Sequence, residues 1–225
     1  PEQIDDGSSD DSGGLLTYAV SPNTFDCDAL EDVVACESNF ALDLDGIDDH
    51  VNFGNLNYIS TGIAGEYSVE FWVNPRSIQS GLGSWLFGDE YASNNGVFIV
   101  LSPSGGVSLY GVNGAGFVTT TTTIPLNAWT HVAVTQNASG SKIYFNGDFV
   151  QSFNVVNQET SSPTYLGQFS GGLRNLNGQL DELRIWNKER SANEIRDNYE
   201  NCVSISESGL AYYFNLEEGS GTTTT

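Results

Sequence analysis

Short alternating apolar runs, broken every few residues by Gly, Asn, Ser or Pro, recur along this chain, and a chain so punctuated has little choice but to pack strands face to face. In Tyr67-Ser-Val-Glu-Phe-Trp-Val-Asn-Pro75 the side chains of Tyr67, Val69, Phe71 and Val73 fall on one face of an extended segment. Val97-Phe-Ile-Val-Leu101 is apolar on both faces, as a central strand covered on each side would be. Residues 129–135 and 142–150 follow. Within the second, Asn146-Gly147 marks a tight hairpin, because both positions of a type I′ turn need positive φ. Residues 180–186 and 210–216 supply the last strands. One helix interrupts the pattern near the C-terminus: Ser191-Ala-Asn-Glu194 is a capping box, and Ala192, Ile195 and Tyr199 share a face up to about residue 200. About a dozen short strands and one short helix predict an all-β, two-sheet antiparallel sandwich.

The 225 residues suffice for one large β domain, and twelve Phe, ten Tyr and four Trp provide its core. Residues 1–14, rich in Asp, Ser and Gly, read as a solvated linker, 15–221 as the domain, and 222–225 as a frayed Thr tail. The formal charge of −22, with seven basic residues of which Arg76 is the first, excludes a nucleic-acid partner, which would need clustered Lys and Arg. Such acidity suits cation binding, a salty medium, or plain solubility. No apolar run reaches the length of a bilayer span, which argues against membrane insertion. The lack of a signal peptide and of any Met reads as a mature or excised piece of a longer chain. Three cysteines in an extracellular setting predict one disulfide and one thiol left over. Cys27 with Cys36 closes a short acidic loop, and either one with Cys202 ties the ends of the domain together; both pairings stay open.

Residues 40–53 alternate like a strand but carry a carboxylate-packed turn, with Asp43, Asp45, Asp48 and Asp49 crowded around Gly46 and no Lys or Arg adjacent in sequence. Like charges so close repel, so the turn calls for a cation or free solvation. Calcium takes six to eight oxygens and favours Asp-rich turns beside Gly. An EF-hand is excluded, because the distal Glu is missing and the setting is a strand.

Several segments together resemble the laminin G-like family of the concanavalin A-like lectin/glucanase superfamily, in the form common in secreted bacterial proteins. They are Ala41-Leu-Asp-Leu-Asp-Gly-Ile-Asp-Asp49 with Val51, Ser68-Val-Glu-Phe-Trp-Val-Asn-Pro75, Trp129-Thr-His-Val-Ala-Val-Thr135 and Ile143-Tyr-Phe-Asn-Gly147. Gly178-Gln-Leu-Asp-Glu-Leu-Arg-Ile-Trp186, Arg190-Ser-Ala-Asn-Glu-Ile195 and Gly209-Leu-Ala-Tyr-Tyr-Phe214 complete the set, in the family's order, over residues 40–219. The resemblance implies a jelly-roll sandwich with one Ca²⁺ where the first core strand meets a late one. Its ligands would be Asp45, Asp48 and the carbonyl of Gly46, with Asp181 from the late strand. Alternation supports that choice, since Asp181 shares a face with Leu183 and Ile185 and should point inward, leaving Glu182 and Arg184 as a surface pair.

Glucanases of this superfamily carry two Glu flanking an Asp on one strand, matching the two carboxylates a glycosidic bond needs. No such motif occurs here, and adjacent Asp181 and Glu182 would lie on opposite faces. His131 lies in a core-like strand and His50 in the acidic loop, and both read as structural. No enzyme is therefore expected. Sugar rings stack on exposed aromatic faces while amides and carboxylates bond their hydroxyls. Trp85, Tyr91, Asn94, Asn95 and Tyr110, near Gly- and Asn-rich turns, are the candidates for ligand contact. Trp72, Trp129 and Trp186 sit in the family's core motifs and read as buried. The expectation is an extracellular, calcium-stabilised binding module that recognises a glycan or a protein partner within a larger chain. The alternatives are a spacer in an adhesin or an accessory domain of a polysaccharide-degrading enzyme.

Overall fold

The computed structural model describes residues 40–59, 65–89, 96–111, 116–158, 162–169, 171–201 and 203–216, with the backbone of 16–18 and 223–224. The linker 1–14, the three cysteines, Tyr91, Asn94 and Asn95 lie outside the described residues. In chain order the strands are β1 (Leu16–Tyr18), β2 (Leu42–Asp45), β3 (Val51–Asn52), β4 (Tyr67–Ser77), β5 (Ser84–Asp89), β6 (Phe98–Leu101), β7 (Gly106–Gly111) and β8 (Gly116–Thr123). They continue with β9 (Thr130–Asn137), β10 (Gly140–Phe145), β11 (Asp148–Phe153), β12 (Thr164–Leu166) and β13 (Asn177–Trp186), then helix α1 (Ala192–Asn198), β14 (Leu210–Phe214) and β15 (Thr223–Thr224).

Two sheets stack into a sandwich. One runs β15-β1-β3-β12-β5-β6-β7-β8, and the other β11-β10-β9-β4-β13-β14. In the second, β2 pairs with the first half of β13 and β14 with the second half. Every described strand pairing is antiparallel except those of β1, which runs parallel to β3 and to β15. Residues 223 and 224, read from sequence as a frayed tail, therefore add a strand at a sheet edge.

Alternation built the core as expected. Tyr67, Val69, Phe71 and Val73 of β4 are fully buried and meet Ile99, Leu101 and Leu109 of the other sheet. Each such side chain contributes on the order of 1.5–3 kcal/mol by leaving water. β6 is apolar on both faces because Phe98 and Val100 turn outward and pack with Trp85, Tyr110 and Phe169. At the β10–β11 hairpin Asn146 and Gly147 have φ of 49° and 80°, and a Cβ on Gly147 would come within 2.8 Å of the Tyr199 ring.

β13 departs from simple alternation. Asp181 pairs with Trp72 of β4, but Arg184 pairs with Glu70, so three steps on β13 answer two on β4. This is a β-bulge, with Glu182 in the left-handed region at φ 53°. Leu180 and Leu183 both stay in the core, and Asp181 is turned out to the Trp72 face rather than inward with Leu183.

The outer face of this sheet is covered at one end by α1 and the segment before it. The capping box forms as expected, with the Glu194 amide donating to Ser191 Oγ and the Ser191 amide to Glu194 Oε2. Beneath the helix lies a buried charged pair: Arg190 donates to Glu70 Oε1 at 2.6 Å, both fully buried, and the guanidinium lies 4.2 Å over the Trp186 ring. His131 Nε2 stands 3.5 Å from the other Glu70 oxygen. Burial alone would push the Glu70 carboxyl up, but His131 and Arg190 outweigh it and hold the group below the usual carboxylate range. A depressed carboxylate contributes stability above its unfolded value and loses it as pH falls, so stability should decline below a pH of about 4.3. Glu70→Gln should cost about 3–5 kcal/mol in chemical denaturation at neutral pH, because it leaves the buried Arg190 charge with only the Glu207 carboxylate at 4.0 Å and the Glu194 carbonyl. It should also flatten the acid limb of the stability profile. A variant as stable as the parent would show that the pair does not anchor the helix.

Candidate functional site

On the same outer face, beside the helix, an open groove of about 560 Å³ is lined by Phe40, Ala41, Trp72, Trp129, Gln179, Asp181, Glu182, Arg184, Tyr199, Glu200 and Asn201. Trp72 reaches it because it alternates out of phase with the buried face of β4. Trp129 is presented by the turn before β9, where Asn127 takes φ 56° and its amide donates to the Pro75 carbonyl at 2.8 Å. Trp129 is 40% exposed and Phe40 55%. Tyr199, the C-cap of α1, brings its ring 6.0 Å from Trp72 and 5.6 Å from His131.

The polar floor comes from the bulge. Tyr213 donates to both Glu182 oxygens, at 2.8 and 2.9 Å, and Arg184 donates to Glu182 at 2.8 Å. Burial first, and the Glu182 charge second, push the Tyr213 phenol well up, which keeps it a donor. Arg184 also donates to the carbonyls of Asn198 and Asn201, tying the end of the helix to the bulge. Asp181 Oδ1 accepts the Glu182 amide at 2.8 Å. Flat aromatic walls with amide, carboxylate and guanidinium groups at the floor suit a ligand with apolar faces and hydroxyl edges.

The acidic turn is a second, separate locus. Carboxylate oxygens of Asp45, Asp48 and Asp49 lie within 4.8 Å of one another. Asp43 is not among them, because Arg76 reaches over from β4 and holds it with both terminal nitrogens, supplying a cation that adjacency in sequence did not reveal. Asp45 Oδ1 accepts the Ile47 amide and Asp49 Oδ2 the Asp45 amide, so these side chains also shape the turn. Burial, then the charges of Asp45, Asp48 and Asp43, push the Asp49 carboxyl up against the Asp45 amide bond that lowers it. An all-oxygen donor set under mutual repulsion fits a hard divalent cation. Gly46 takes φ 83°, where a Cβ would meet Asn177 at 2.7 Å.

The expected ligand set is therefore regrouped. Asp45 and Asp48 do meet, beside Gly46, but the residue of β13 opposite Asp45 is Asn177. Asp181 lies four residues farther along, roughly 13 Å at the rise of a strand, and belongs to the groove. The third carboxylate of the cluster is Asp49. Of the expected ligand aromatics, Trp85 and Tyr110 fall within the described residues. Trp85 is buried, with its indole N–H donating to the Tyr165 carbonyl, and Tyr110 is half-buried at 5.4 Å from Phe98. Trp72 and Trp129, assigned to the core from their motifs, line the groove instead. Two signals in the sequence pointed to them: the phase of β4 for Trp72, and the Pro125-Leu-Asn-Ala turn before Trp129.

Residues 45–196, more than half of the chain, match the Laminin_G_3 family, described as the concanavalin A-like lectin/glucanases superfamily. No curated protein sequence matches the chain. Among solved structures, a candidate carbohydrate-binding protein of Bacteroides ovatus ATCC 8483 superposes with a TM-score of 0.58 and 19% identity, over 78% of this chain and 52% of that one. The heptameric SAP-like pentraxin of Limulus polyphemus gives 0.54 and 15%, over 78% and 90%. Trypanosoma rangeli sialidase gives 0.53 and 16%, over 69% and 26%. This chain thus spans about half of the Bacteroides protein and about a quarter of the sialidase, and the likeness to all three is one of fold. The chain belongs to the concanavalin A-like lectin/glucanase superfamily, through the Laminin_G_3 family.

Proposed function

We propose that this chain is a non-catalytic glycan-binding module of a longer extracellular protein, with the groove as its binding site and calcium at the acidic turn as its stabiliser. The observation that carries the reading is the pairing of an exposed Trp129 with Trp72 and Tyr199 above a floor of fixed polar groups. Trp129 is exposed at a cost in hydration that a sugar face would remove. Membership of a lectin/glucanase superfamily agrees with it. Asp181 and Glu182 do not resemble a hydrolytic pair. Glu182 is held by Arg184 and Tyr213, and Asp181 is its neighbour in the chain, so the two cannot stand on opposite sides of one glycosidic bond.

Asp45, Asp48 and Asp49 would hold calcium, whose charge relieves their repulsion. A three-carboxylate surface turn suits the weak sites of extracellular modules, with Kd of about 10⁻⁴–10⁻³ M. Calcium at a hundredfold excess over Kd should add about 2.7 kcal/mol. That would raise Tm by about 5–10 °C in a chain of this size. Asp48→Asn should abolish the rise, while Asp181→Asn should leave it intact. A calorimetric titration with no heat and no change in Tm would remove calcium from the account.

Screening against a glycan array should give saturable binding, and Trp129→Ala should weaken it about tenfold without lowering Tm, as the loss of one aromatic face predicts. If EDTA lowers Tm but leaves sugar affinity unchanged, the turn is structural and the groove binds alone. Silence across the array would instead favour a protein partner or a spacer role.

A further inference from the structure

Arg174 is the exception among the basic residues of this chain. Arg76, Lys142, Arg184, Lys188, Arg190 and Arg196 each stand within 4.0 Å of a carboxylate, whereas Arg174 has none among the described residues. It lies on the outer face of the β5–β8 sheet, across the sandwich from the groove, and its carbonyl accepts the Trp85 backbone amide at 2.6 Å. The rings of Trp85, Phe98, Tyr110 and Phe117 form a row there, with centroids 5.1–5.4 Å apart from one to the next. β6, β7 and β8 fall within residues 91–141, which contain no Asp, Glu, Lys or Arg. These strands therefore neither pair Arg174 nor repel an anion brought to it.

The guanidinium is nevertheless fixed in place. Its Nη1 donates to the Leu82 carbonyl at 2.6 Å and the group lies 5.1 Å over the Phe117 ring, so Nη2 and Nε are left without a partner among the described residues. The backbone just before it is pinned by Phe169 and Leu173, which exchange hydrogen bonds, and Arg174 itself takes φ 59°. Burial draws the guanidinium below its ordinary range, a cost that a carboxylate partner would remove. Leu82, Phe117 and Leu173 are three of the nine large apolar side chains exposed among the described residues. All three adjoin Arg174: Leu82 through its carbonyl, Phe117 through its ring and Leu173 as the preceding residue.

We infer that this patch docks a partner polypeptide presenting one carboxylate, from an Asp or Glu, among apolar side chains. The carboxylate pairs with Nη2 and Nε of Arg174, while its apolar neighbours cover Leu82, Phe117 and Leu173. Arg beside large apolar groups is the combination that carries binding energy at protein interfaces. A sugar fits less well, because the guanidinium already occupies one face of Phe117 and the two Leu offer no flat ring to stack on. The −22 of the whole chain repels polyanions, so an isolated acid is selected over an acidic run.

The test is selection of random short peptides displayed on phage against the intact chain, followed by calorimetric titration of the synthetic winners. Those winners should carry one Asp or Glu beside Leu, Ile or Phe. Arg174→Gln should weaken their binding about tenfold or more, as loss of an interface anchor does. Leu82→Ser, at an exposed position, should weaken it with Tm unchanged. Arg174→Lys should keep only part of the affinity, because it retains the charge without the planar fork. Trp129→Ala should have no effect, which separates this patch from the groove and leaves the glycan reading untouched by either result. Winners without an acid, or winners indifferent to both Arg174→Gln and Leu82→Ser, overturn the inference, as does failure to select any peptide. Displacement by an oligouronate would assign the patch to a sugar acid, and an Arg174-dependent dimer in sedimentation would assign it to a second copy; either overturns the choice of partner.

Discussion

The extra residue in β13 is the constraint from which the groove follows. With Glu182 in the left-handed region, two neighbouring acids leave the core side together while Leu180 and Leu183 stay in it. A non-Gly residue held there costs about 1–3 kcal/mol, and it persists where the surroundings over-determine it. Here Tyr213 and Arg184 both grip the Glu182 carboxylate, and Arg184 in turn holds the carbonyls at the end of α1. The same contacts that stabilise the bulge therefore set the distance between the floor of the groove and its Tyr199 wall.

The helix that supplies Tyr199 is only seven residues long and could not persist alone. Its anchor is the dry pair of Glu70 and Arg190, with the guanidinium stacked on Trp186 and its second terminal nitrogen on the Glu194 carbonyl. Removing two charges from water is costly, so such a pair adds less to stability than its short distance suggests. Its effect is positional, because breaking either half leaves a buried charge, and that penalises every arrangement in which the helix sits elsewhere. Ser68 adds a neutral tie, accepting the Arg190 amide and donating to the Lys188 carbonyl. The outward face of β4 thus serves two ends: Ser68 and Glu70 hold the cover, and Trp72 is left at its edge, lining the groove.

Much of the scaffold was legible in the chain, because strands, the Asn146-Gly147 hairpin and the capping box depend on residues close in sequence. The site was less so. Its turn-rich neighbourhood makes Trp85 a candidate for ligand contact, yet Phe98 and Val100 on the next strand bury it. Trp129 was read as core from its motif, yet it precedes the first pairing of β9 and nothing covers a large part of it. Arg76 of β4, far from the acidic turn in the chain, reaches Asp43 of β2 although the two strands do not pair with each other and both pair with β13.

By itself the sequence determined the sandwich class, the inward face of β4, the helix with its cap and the clustering of acids around Gly46. These rest on period, turn chemistry and adjacency, which are local. Only the tertiary structure decided which acids share a site. The pairing of Asp45 with Asn177 and the bulge beyond it send Asp181 to the aromatic groove and leave Asp49 with the turn. The physical reason is that one inserted residue reverses the facing of a strand while leaving its apolar pattern almost unchanged, so facing is set by the partner strands and not by the strand's own composition.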